Sequence, residues 1–162
     1  MSEVNKKLDK IIKKLEMWER RLITDKDIAD GAITPIKTNS LGVHWVRTAS
    51  PTPGVSGAYG TAVALVAPVN KSIVPLSVSL TWGGTFGTGE TVTIRLTAKF
   101  SDGTSANITK SATATGTVLL NPADLQGLMK DRVYIKEIDV DSSSSAAYTS
   151  VTTSATIYGL QL

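Results

Sequence analysis

Along the first stretch of the chain the apolar residues Val4, Leu8, Ile11, Leu15, Trp18 and Leu22 follow one another at intervals of 4, 3, 4, 3 and 4 residues. That alternation is a heptad seam, and it predicts a coiled-coil stalk helix over residues 1–23. Leu8, Leu15 and Leu22 fall at the a positions and Val4, Ile11 and Trp18 at d, while Lys14 at g faces Glu19 at e of a neighbouring chain. Leu at a with β-branched residues at d favours three or four strands; the bulky indole of Trp18 blurs that preference. The alternative is an amphipathic helix docked on its own domain or on a lipid surface. Three heptads are marginal in water unless other contacts bury the apolar face. The pattern therefore predicts a homo-oligomer, with a trimer preferred, that draws further contacts from beyond the helix.

Residues 24–40 read as a connector. Ile23, Ile28 and Ile33 recur every five residues, a spacing that suits neither helix nor strand, and Gly31 and Pro35 break a continuing helix. Ile28 and Ile33 join the six seam residues as expected oligomerisation contacts. Asp25, Asp27 and Asp30 precede Gly31 in the manner of a calcium loop, but the third carboxylate comes one position late and no Glu closes the loop at position 12. No metal ligand set is assigned there.

From Leu41 onward the period becomes two. Leu76, Val78, Leu80 and Trp82 alternate with Ser77, Ser79 and Thr81, and Val92, Ile94, Leu96, Ala98 and Phe100 alternate with Thr91, Thr93, Arg95, Thr97 and Lys99. Both segments predict strands with one buried face and a polar, solvent-facing one. The glycine-rich run 83–89 between them predicts a hairpin loop, and Asp102-Gly103 predicts a tight primed turn, so that three successive strands form a meander. Further strands are expected over 41–48, 62–67, 112–120, 132–140 and 148–162. A parity change in the last but one of these predicts a bulge near Lys136 and Glu137. Asn121 and Pro122 predict the start of a short helix over 123–129, and the serine run 142–145 an exposed loop. The resulting fold class is mainly β: an antiparallel β-sandwich or jelly-roll head over residues 41–162, carried on an α-helical coiled-coil segment.

Composition agrees with this division. The 162 residues include 21 Thr, 16 Ser and 13 Gly, a bias toward strands and turns. Without cysteine there are no disulfides and no thiolate metal site. Residues 1–22 carry seven basic and four acidic side chains, whereas the remaining 140 residues carry ten of each sign, so the net charge of +3 belongs to the stalk segment. The head has no charge signature of a nucleic-acid binder, and nucleic acid is not an expected partner. No run reaches the roughly 20 apolar residues of a membrane span, and the charged start is unlike a signal peptide, which predicts a soluble, unprocessed chain.

Chemistry is sparse. His44 is the single histidine; it alternates with Leu41, Val43 and Trp45 and has no marked nucleophile, so a surface or subunit-contact imidazole is expected. There is no G-x-S-x-G elbow, Walker loop or dinucleotide fingerprint. Asp139 and Asp141 read as solvated charges at a strand end. No catalytic residue, metal or cofactor is assigned, and the chain is expected to be no enzyme. Trp45 and Trp82 follow the apolar parity into the core, whereas Tyr59 and Phe86 sit in Gly-rich loops and are the candidate ligand contacts.

The segment DIADGAITPIK, from Asp27 to Lys37, resembles a short motif of phage and virus tail-fibre and spike proteins. In those proteins it lies between an attachment or helical portion and a β-rich head, and the fibres are homotrimers. The resemblance covers 11 residues and implies a virion structural protein: a short fibre or spike for host attachment or capsid contact, with other virion proteins and a host surface glycan or receptor as partners. Two other readings stay open. One is a carbohydrate-binding β-sandwich module; the other is a jelly-roll capsid or decoration protein whose basic helix faces the genome.

Overall fold

A computed structural model describes residues 43–162, which fall within the unit Leu41–Leu162. The stalk 1–23, the connector 24–40, the eight oligomerisation residues Val4, Leu8, Ile11, Leu15, Trp18, Leu22, Ile28 and Ile33, and the DIADGAITPIK segment lie outside the described residues. Period-two alternation builds eight strands: β1 Val43–Ala49, β2 Val63–Val66, β3 Ile73–Thr85, β4 Val92–Phe100, β5 Ser105–Ala112, β6 Gly116–Leu120, β7 Ile135–Ser144 and β8 Ser150–Gln161. The ladders are antiparallel and form two layers, β1-β8-β3-β6 and β2-β7-β4-β5, joined at one corner where Ile73 pairs with Ile135. The fold is mainly β and sandwich-like.

The inner faces make one core. Val78, Leu80 and Trp82 of β3 and Ala155 and Ile157 of β8 meet Val92, Ile94, Leu96 and Ala98 of β4 and Ile138 and Val140 of β7, all at most 2% exposed. Trp45 and Trp82 lie in this core, as their parity requires. The indole N–H of Trp82 donates to the carbonyl of Val92 at 3.1 Å, tying β3 to the first residue of β4 across the layers.

Among the described strands only β4 and β5 are neighbours both in sequence and in the sheet. The expected β3–β4 hairpin is therefore wrong. Gly83, Gly84 and Thr85 continue β3 against Thr152, Val151 and Ser150 of β8, and the chain then crosses to the other layer. Gly84 has φ +80°, and a Cβ there would lie 2.3 Å from the carbonyl oxygen of Ser150, so the glycine serves strand pairing rather than a hairpin loop. The β4–β5 hairpin does form, but only Gly103 has positive φ (+82°). Its amide donates to the carbonyl of Phe100, and the Phe100 amide donates to the carbonyl of Thr104. This is a three-residue loop ending in a glycine bulge, not a two-residue primed turn.

Other local expectations are corrected by bulges and by burial. The bulge of β7 is where parity placed it: Lys99 pairs with Glu137 but Phe100 pairs with Ile135, leaving Lys136 as the extra residue. A second bulge, between Pro75 and Ser77, turns Leu76 out of the buried alternation to 43% exposure. The serine run is not an exposed loop: Ser142, Ser143 and Ser144 are buried in β7, and only Ser145 is exposed. The segment expected as one strand over 112–120 is split, its first residue closing β5 and Gly116 opening β6. The helix expected over 123–129 shrinks to a 3-10 turn, Gln126–Leu128. Asn121 does not cap it: its side-chain oxygen accepts from the amides of Ala123 and Asp124 at 2.9 and 3.3 Å in the preceding turn, and the N-cap of the 3-10 turn is Leu125, which makes no side-chain cap bond. The turn inserts Leu125 and Leu128, both fully buried, beside β4 and β5.

Candidate functional site

Register places the loops. Val43 of β1 pairs with Gln161, and Ile73 and Ile135 lie at the same end. At the other end Ala49 meets Ala155, Thr85 meets Ser150, and Val92 meets Ser144 and Ala112. Segments 50–62, 86–91 and 145–149 therefore cluster at the end of the sandwich opposite the point where the chain enters at Val43. These contain the ligand-contact candidates.

The cluster is laced together by backbone and hydroxyl groups. The amides of Gly54 and Gly60 both donate to the carbonyl of Ser142, and the Ser144 amide donates to the carbonyl of Gly54. A Cβ on Gly60 would sit 2.1 Å from the Thr52 carbonyl oxygen, so this close approach requires glycine. At the tip, Ser56 and Gly57 both have positive φ, and Ala58 donates to the carbonyl of Val55, which is a type I′ turn. Glu90 is the polar centre of the end. It is 4% exposed, and its carboxylate accepts from the Gly87 amide at 2.7 Å and from the Ser144 hydroxyl at 2.6 Å. The hydroxyls of Ser144 and Thr149 and the Gly87 amide hold its pKa below the ordinary glutamate value of 4.5. Beneath it Thr153 donates its hydroxyl to the Pro51 carbonyl and pairs with Ser142.

Tyr59 is placed by charge. The guanidinium of Arg95 lies 3.8 Å over its ring centroid while making two hydrogen bonds to the Asp141 carboxylate, at 2.9 and 2.5 Å. The Asp141 hydrogen bond raises the pKa of Arg95 against the opposing effect of burial. Asp141 is 6% exposed, and Asp139 pairs with Lys99 at 2.7 Å, as Glu137 does at 2.5 Å. The two aspartates are thus mid-strand ion-pair partners on the outer face of β7, not solvated strand ends. The result for Tyr59 is a ring held on one face by a neutralised cation and still 36% exposed, a geometry suited to stacking a flat or apolar ligand face.

Phe86 is held differently. It is partly buried and packs against the core, so it anchors the 86–91 crossover. Tyr148, which strand periodicity assigned to the start of β8, instead stands in the 145–149 loop at 81% exposure. Its signal was the adjoining Ser-Ala-Ala run, which lacks the alternating large apolar residues of a strand. His44 is exposed on β1, opposite Leu160. Among the described residues no group of three or more His, Cys, Asp or Glu is placed to hold a metal ion, and no helix is long and apolar enough to cross a membrane.

No family model matches the chain, and no curated protein matches it. Among solved structures it is similar to one described as "Crystal structure of PirA", with 15% identity and a TM-score of 0.40, over 71% of this chain and 93% of that one. That likeness bears on neither site nor function.

Proposed function

We propose that the chain is a non-enzymatic virion protein, a short homotrimeric fibre or spike whose head contacts a host surface glycan or receptor through the loop end. The supporting observation is that the end opposite Val43 gathers segments 50–62, 86–91 and 145–149 with the exposed rings of Tyr59 and Tyr148, while the heptad seam and the fibre-like connector precede Val43 in the sequence. The finer fold assignment is a jelly roll, because β1-β8-β3-β6 facing β2-β7-β4-β5, with nearly every connection crossing layers, is the order of two Greek keys. Such a sandwich keeps its strands packed while its end loops carry recognition. Tyr59 and Tyr148 are the ring contacts of the reading, and Phe86 supports their frame. The charges after residue 22 balance at ten of each sign, so the head has no basic signature of a nucleic-acid surface.

The test is attachment of the purified full chain to host cells and to immobilised glycans. Replacing Tyr59 and Tyr148 together by Ala reduces attachment while oligomer mass and thermal midpoint stay unchanged. Unchanged attachment by the folded, assembled double variant overturns the loop-end site. Glycan binding by a chain that never associates with particles favours the carbohydrate-binding module instead.

A further inference from the structure

The two outer faces of the sandwich differ in kind. On the β2-β7-β4-β5 layer the outward residues include Arg95, Lys99, Glu137, Asp139 and Asp141. The outward face of β1-β8-β3-β6 carries no lysine, arginine, aspartate or glutamate. Reading its rows by register, His44, Leu160 and Val74 lie side by side, then Val46, Tyr158 and Ser77, then Thr48, Thr156, Ser79 and Leu119, then Ser154, Thr81 and Thr117. Directly paired residues share a face, so these rows form one continuous surface across four strands. Tyr158 and Leu119 are 40% and 66% exposed, and bulged Leu76 adjoins them at 43%.

We infer that this uncharged face is an interface between copies of the chain. The inference rests on the self-association proposed for the seam, and it deepens that reading by assigning the head a contact of its own. Three observations favour a second copy as the occupant. The face bears no charge, so a copy meets no like-charge repulsion, and depletion of charge with retention of Tyr marks interface cores. Its hydroxyls are already partnered in part, Thr48 with Thr156 at 2.9 Å and Thr81 with Thr117 at 3.1 Å, which lowers the cost of removing water from them. Its apolar rows lie at the Val43 end, where the chain continues into 42 residues that contain the seam. An interface on this face adds apolar contact to the seam. This supplies the contacts that three heptads lack.

The cysteine-free sequence permits a direct test in the full chain. Thr156→Cys puts a thiol on the proposed interface, and Thr109→Cys puts one on the exposed edge strand of the other layer. In the assembled protein Cys at 156 reacts with a bulky maleimide at least about tenfold more slowly than Cys at 109, and adding Leu15→Asp to dissolve the seam restores its rate. Tyr158→Lys lowers the association constant by about tenfold or more, with the β spectrum unchanged. Equal, fast labelling at both positions in an oligomer of normal mass overturns the interface and leaves the seam standing. Protection at 156 that persists in a monomeric Leu15→Asp chain assigns the cover to the chain's own residues and also overturns it. A wild-type chain that is monomeric at high micromolar concentration removes seam and interface together.

Discussion

Glu90 shows how one residue fixes the geometry of the loop end. A carboxylate 4% exposed is costly to bury unless it is satisfied, and this one receives an amide from its own turn and a hydroxyl from the end of β7. Because hydrogen bonding depresses its folded pKa, its stabilising contribution is complete above the unfolded value near 4.5 and is lost as pH falls through the lower folded value. Asp102 titrates in the same direction, its pKa lowered by Lys130 and Thr104. Glu90→Gln lowers the thermal midpoint at pH 7 and flattens the loss of stability on acidification, leaving the Asp102 part. Thermal melts between pH 7 and 3 measure both effects; a variant with the wild-type acid slope contradicts the assignment. Arg95 gives a second residue-scale prediction. Arg95→Ala leaves Asp141 buried without its two donors and costs about 1.5–3 kcal/mol in chemical denaturation. Arg95→Lys recovers only part of this, since an ammonium lacks the planar fork. Both variants also free the Tyr59 ring, so tyrosine quenching in that loop changes even where stability is restored.

At the scale of elements, alternation in the sequence was enough to find nearly every strand, and even the bulge at Lys136, because burial on one face leaves a period-two record. It was not enough to pair them. The Gly83–Gly89 run resembles a hairpin loop by composition, yet Gly84 is selected by the carbonyl of Ser150 more than sixty residues away, and no local signal carries that distance. Ser142 and Ser144 look solvated for the same reason: their partners Thr153 and Glu90 are remote, so a buried hydroxyl network is written in ordinary loop residues. Tyr59 was legible as a loop ring, but its stacking under Arg95 depends on β4–β7 pairing. Tyr148 was absorbed into a strand. The central β4 strand provides a stability prediction at this scale. Leu96 is 1% exposed within the core, and Leu96→Ala costs about 2–5 kcal/mol in equilibrium denaturation, whereas Thr97→Ala on its outer side costs under about 1 kcal/mol. Comparable losses at both positions contradict the two-faced strand.

At the scale of the whole molecule, the head separates two tasks along its strands. Its core and uncharged outer face are built from residues that pack, while the exposed rings of Tyr59 and Tyr148 lie at the loop end. On the proposed reading, assembly sets affinity for the host more strongly than any single loop contact. A site framed by Tyr59 and Tyr148 presents a small area, so one head binds weakly. Joining heads makes the second and third contacts intramolecular, which raises avidity by about 10²–10⁴ without a new contact. Leu15→Asp inserts a charge into each copy of the seam and so dissolves assembly while leaving the loop end intact. The variant therefore retains single-site binding in solution to a monovalent glycan but loses about 10²–10⁴ in apparent affinity for a multivalent surface. Surface-binding measurements on dense and sparse glycan layers separate the two terms. An unchanged affinity on the dense layer, from a chain shown by light scattering to be monomeric, would mean that each head binds on its own and that the stalk serves anchoring rather than avidity.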